Sequence, residues 1–181
     1  TEDVDDMIQI FFKGPQLIEV TRVGTPLEKI RQSAYRVPNF NTKLYLLEYL
    51  LAHDETMEKV LIFGATKRMA DRIHAYLETK FPEQFSATHS NKSQNFRIQA
   101  VQKFQDGTLR GLVATDLLAR GLDVTDVTHV INLDTPDTPE NYIHRIGRTG
   151  RADTEGAAIT FIADTELVYQ EQIETLMNKA I

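Results

Sequence analysis

Residues 139–152 read Pro-Glu-Asn-Tyr-Ile-His-Arg-Ile-Gly-Arg-Thr-Gly-Arg-Ala. Thr138 ahead of Pro139 is a helix-start signal: a hydroxyl to cap the first free amides, then a proline whose missing N–H costs nothing at the first helical position. Tyr142, Ile143 and Ile146 predict an apolar face for a short helix. Gly147 predicts its stop, in the left-handed backbone region that glycine enters without steric penalty. Arg145, Arg148 and Arg151 recur every third residue, with Gly147 and Gly150 between them. The last two then stand at or past the helix end, each presenting a planar fork of donors suited to phosphate oxygens. A solvated basic turn is the simpler reading of such a cluster. Against it stand the regular glycine interleaving and an overall charge of −6, from 20 basic and 26 acidic residues.

Working outward, this helix is one of a series that alternates with short apolar runs. Strands are predicted at Ile30–Val37 (ended by Pro38), Lys59–Phe63, Phe85–His89, Gly111–Thr115, Val127–Leu133 and Ala157–Ala163. Between them, helical spacing appears in Leu44, Leu47, Leu50 and Leu51; in Met69, Ile73, Tyr76 and Leu77; and in Ile98, Val101 and Phe104 of Gln94–Gln105. A last helix is predicted at Glu166–Met177. Apolar strands alternating with amphipathic helices imply an α/β fold, a parallel sheet with helices on both faces. Ligands of such sheets bind at the carboxyl ends of strands. The loops that carry polar motifs are therefore expected along one edge. Residues 25–181 are expected to be one domain. Residues 1–24 read as a separate tail: Val4, Ile8 and Phe11 form a helical stripe, Gly14-Pro15 breaks it, and Leu17–Val20 suits a short strand.

Composition narrows the function classes. With acidic residues in excess, any nucleic-acid contact has to come from a local patch. There is no cysteine, hence no disulfide and no cysteine-ligated metal; this fits a cytoplasmic protein. Histidines 53, 74, 89, 129 and 144 lack metal-ligand spacing, so no metal site is expected. No run reaches membrane-spanning length and no membrane partner is expected.

The run His144–Arg151, H-R-I-G-R-T-G-R, resembles the last motif of DEAD-box RNA helicases, where it lies on the second of two RecA-like domains. Three further loops are similar to that family in the same order. Ala114–Val124, A-T-D-L-L-A-R-G-L-D-V, resembles its fifth motif closely. Phe63–Lys67, F-G-A-T-K, resembles its fourth. Thr88–Arg97, T-H-S-N-K-S-Q-N-F-R, resembles H-G-x-x-x-Q-x-x-R, with Ser90 in place of the usual glycine. Read without the family, these loops are ordinary: Thr66 and Ser93 suit helix caps, Gln94 and Arg97 share a helix face, and Thr115 and Asp116 can satisfy local backbone.

The resemblance implies specific roles. Arg148 and Arg151 would reach ATP phosphates as arginine fingers, and His144 would bridge to the first domain. Gly121 and Asp123 would meet the nucleotide sugar. Gly64, Thr66, Arg97 and Thr115 would contact the RNA backbone. It also implies a RecA-like sheet of the P-loop NTPase type, with residues 1–24 closing the first domain and forming the linker. A P-loop needs G-x-x-x-x-G-K-[ST], and the chain contains neither a Gly-Lys pair nor Asp-Glu-Ala-Asp. The expectation is the C-terminal half of an ATP-dependent RNA helicase, inactive alone. Its partners would be RNA and the N-terminal RecA-like domain, which would hold magnesium with the ATP. The alternatives are half of a DNA helicase, or a non-catalytic nucleic-acid- or protein-binding module.

Overall fold

Six strands build one sheet: Ile30–Arg36 (β1), Val60–Phe63 (β2), Phe85–Thr88 (β3), Gly111–Ala114 (β4), His129–Asn132 (β5) and Gly156–Ile162 (β6). Their order is β1-β6-β5-β2-β4-β3 and every pairing is parallel. The computed structural model describes residues 27–116, 124–150, 155–178 and 181. The predicted tail at 1–24 and the candidate residues Gly121, Asp123 and Arg151 lie outside them.

Within the described residues, helices Phe40–His53 (α1), Lys67–Lys80 (α2), Gln94–Gln105 (α3), Pro139–Ile146 (α4) and Leu167–Met177 (α5) connect and cover the strands. β2 and β4 are four residues long and wholly apolar because both faces are covered. Alternation along each strand divides their side chains between two layers. Val60, Ile62, Val113, Ile131 and Phe161 pack with Leu44, Leu47 and Leu51 of α1 and Ile73 and Leu77 of α2. On the other face, Leu61, Phe63, Leu112 and Val130 meet Ala100 and Phe104 of α3. Ile30 and Ala158 meet Tyr142 and Ile146 of α4 and Ile173 of α5.

The helix starts follow local chemistry. Asn39, Thr66, Ser93 and Thr138 each cap a helix, their side chains accepting from Thr42 N, Met69 N, Phe96 N and Asn141 N at 3.0–3.3 Å. Two details differ from the sequence expectation. Ile98 is 45% exposed, whereas Ala100 and Phe104 are buried. Six residues separate Ile98 from Phe104, which puts it roughly a third of a turn off the core face. Gly147 has φ −65°, so it is not a left-handed stop. The chain leaves α4 through a tightened turn, Arg148 N to Arg145 O at 3.2 Å and Thr149 N to Ile146 O at 3.1 Å. The left-handed glycine comes later, at Gly150 with φ 66°.

Candidate functional site

Three of the motif loops meet at the carboxyl edge of the sheet. After β2 the chain turns at Gly64, where an added Cβ would lie 3.1 Å from Ile73 Cδ1 and 3.3 Å from Ala70 N. Glycine thus lets the loop press against α2. Thr66 is exposed, and its cap to Met69 N uses one lone pair of its hydroxyl, leaving the O–H free to donate. Thr115 follows β4 and is buried at the groove floor. A groove of about 430 Å³ is lined by Ala65, Thr66, Lys67, Arg68, Thr115 and Asp116. Lys67 Nζ donates to Asn91 Oδ1 at 2.8 Å and so joins this groove to the loop before α3. There Asp71 takes His89 Nε2 and Lys92 Nζ, each at 2.9 Å. The His89 hydrogen bond, and then that of Lys92, hold the Asp71 carboxyl below the usual carboxylate range. Arg97 stands on the first turn of α3, half-buried, and donates to Gln94 Oε1. Gly64, Thr66, Arg97 and Thr115 therefore lie at one edge.

Beneath that edge is a charged network that the sequence did not announce. Arg145 is buried. Its Nε and Nη2 grip both carboxylate oxygens of Asp116 at 2.5 and 2.7 Å. Its Nη1 donates to Asn132 Oδ1 at 3.2 Å and to Asp134 O at 2.9 Å. The first arginine of the triplet is thus a brace between α4, β4 and β5. Asp134 in turn accepts from Ala65 N at 2.9 Å and fixes the loop after β2. Lys43 is buried 3.6 Å from Asp134 and donates to Glu166 at 2.6 Å. Glu166 also accepts from Ala163 N at 2.7 Å and Thr135 N at 3.2 Å. The one sequence signal for Lys43 was its place on the apolar stripe of α1, four residues before Leu47.

The arginine turn is elsewhere, which corrects the expectation of a single shared edge. α4 starts at the carboxyl edge and runs back along the sheet, so its far end emerges beside the amino ends of β5 and β6. Thr149 forms a parallel bridge with Val127. Its hydroxyl bonds Val127 O and lies 3.1 Å from Thr128 O. Gly156 opens β6 directly beneath; an added Cβ there would collide with Thr149 Oγ1 and come within 2.5 Å of Gly150 N. His144 is exposed and Arg148 half-buried. Asp116 stands at the carboxyl edge, and Val127, bridged to Thr149, stands beside the arginine turn.

A parallel sheet carrying these loops is a RecA-like domain of the helicase type. The chain belongs to the helicase conserved C-terminal domain family, which matches residues 42–153. It is 36% identical over 179 residues to the pre-mRNA-splicing ATP-dependent RNA helicase PRP28 of Pyricularia oryzae, covering 98% of this chain and 26% of that protein. It is 44% identical over 138 residues to DEAD-box ATP-dependent RNA helicase 40 of Oryza sativa, covering 76% of this chain and 17% of that protein. The chain thus spans about a quarter or less of these curated relatives. Among solved structures it resembles the E. coli DEAD-box protein SrmB bound to the regulator RraA (TM-score 0.77, 29% identity, 84% of this chain and 88% of that one). It also resembles S. cerevisiae Dbp5 bound to RNA and ADP BeF3 (TM-score 0.76, 30% identity, 84% and 40%). Its fold is that of the C-terminal RecA-like domain of DEAD-box proteins.

Proposed function

We propose that this chain is the C-terminal half of an ATP-dependent RNA helicase. In the whole protein it closes on an N-terminal RecA-like domain around ATP and single-stranded RNA. The observation that carries this reading is the division of the motif residues between two ends of one sheet, tied together by Arg145. Gly64, Thr66, Thr115 and Arg97 offer an anion-binding path at the carboxyl edge, where contacts to phosphate and sugar position a strand without reading its sequence. Arg148, with Arg151, faces nucleotide phosphates from the other end, and His144 bridges to the first domain. Gly121 and Asp123 meet the nucleotide sugar. Magnesium is held by the first domain. Arginine fingers of this kind contribute about 10³–10⁵ in rate in related phosphoryl transfers. Their work is on charge that develops in the transition state.

Arg145 makes the two ends mechanically dependent. Its guanidinium holds Asp116 next to Thr115, and its backbone carbonyl accepts Arg148 N. Strand binding at Thr115 and the placement of Arg148 therefore share one rigid helix. The test is ATP hydrolysis by the full-length protein with single-stranded RNA or DNA added. Stimulation by RNA well above that by DNA is expected. Equal stimulation by DNA would point to a DNA helicase, and no hydrolysis under any condition to a binding module.

A further inference from the structure

Phe96 gives its backbone N–H to the Ser93 cap, but its ring lies outside the core clusters. It is the third residue of α3, adjacent to Arg97, and 43% of it faces solvent. The core face of the same helix is supplied by Ala100 and Phe104, so folding does not explain an aromatic ring at this position. Lys92 Nζ stands 5.7 Å from the ring centroid and is itself pinned to Asp71 at 2.9 Å. Lys67, on the groove wall, reaches Asn91 in the same loop at 2.8 Å. Lys67, Lys92 and Arg97 thus form a row of cations, with an exposed ring set among them, continuous with the groove of Thr66 and Thr115.

Cations interleaved with an aromatic ring are what a single nucleic-acid strand requires: the cations track phosphates while the ring stacks a base. We propose that Phe96 is the stacking platform for one unpaired base of the RNA strand whose phosphates lie against Arg97. The inference rests on the RNA path proposed above. Every base has a π-face, so this contact adds affinity without sequence preference. It also favours single strands, because in a duplex each base is already stacked.

The experiment compares two oligoribonucleotides of equal length, a uridine strand and one with abasic positions, on the full-length protein with a non-hydrolysable ATP analogue. Wild type should bind the uridine strand more tightly. Phe96→Ala should lose at least about fivefold on that strand, the low end of what a base–aromatic stack is worth, and bind the abasic strand as wild type does. Phe96→Trp should retain the preference, and Arg97→Ala should weaken both strands alike. If Phe96→Ala behaves like wild type on both strands, or weakens both equally, the stacking role is overturned while the RNA path stands on Arg97. If wild type binds neither strand, or Arg97→Ala changes nothing, the path itself is wrong and the inference falls with it.

Discussion

At the scale of single residues, the arginine triplet divides by environment. Arg145 and Arg148 have the same chemistry and similar flanks, yet one is a buried brace and the other stands at a turn. Arg145 has no substitute for its grip on Asp116, Asn132 and Asp134 O. Removing Arg145 leaves Asn132 Oδ1, Asp134 O and the partly exposed Asp116 carboxylate without their donor, at a cost of about 1–3 kcal/mol. Arg145→Ala should destabilise the chain by an amount of that order in urea unfolding; a loss below about 1 kcal/mol would show that the brace is dispensable. His129 gives a pH signature. Burial, only partly opposed by Asp54, pushes its imidazole below the ordinary histidine value of 6.5. A base whose folded pKa is depressed takes up its proton more readily when unfolded, so stability is full above 6.5 and falls as pH drops below it. His129→Gln should flatten that part of the stability–pH curve; an unchanged curve would assign the acid loss to other groups.

At the scale of elements, most of the fold was legible because its signals are local. Ser93 and Thr138 announced their helices, and an apolar run as short as β2 or β4, too short for a buried helix, reads as a strand covered on both faces. The bracing network was not legible, because its partners are far apart in sequence: Lys43 and Glu166 are separated by 123 residues and Arg145 and Asp116 by 29. The arginine turn lies away from the expected edge for a geometric reason. A loop takes its edge from the strand it follows, but a motif at a helix's far end takes the opposite one. The motif loops on the carboxyl edge fell where expected, each within a few residues of a strand end. The seating of the arginine turn also depends on Gly156, whose missing side chain admits Thr149 and Gly150. Gly156→Ala should cost about 1–3 kcal/mol through overpacking and reduce hydrolysis by the full-length protein, with RNA binding at the other edge retained. Unaltered stability would mean that the turn relaxes freely.

At the scale of the whole molecule, the proposed RNA binding by a chain of charge −6 requires a narrow patch. The cations named at the carboxyl edge are Lys67, Arg68, Lys92 and Arg97. Neutralising a phosphate with each gives a slope of log affinity against log salt of about −3 for a single strand. This 181-residue chain alone should therefore bind weakly with a slope no steeper than that, and a much steeper one would reveal a larger basic surface. In the proposed mechanism RNA is held at one end of the sheet while Arg148 acts on nucleotide from the other. RNA-stimulated ATP hydrolysis and nucleotide-free RNA affinity of the full-length Arg148→Ala protein, measured side by side, test it most directly. Hydrolysis should fall by about 10³ or more, with RNA affinity within about twofold of wild type, and Arg148→Lys should restore little because an ammonium cannot reproduce the planar fork. Hydrolysis close to wild type in Arg148→Ala would contradict this mechanism and return the turn to a solvated basic loop.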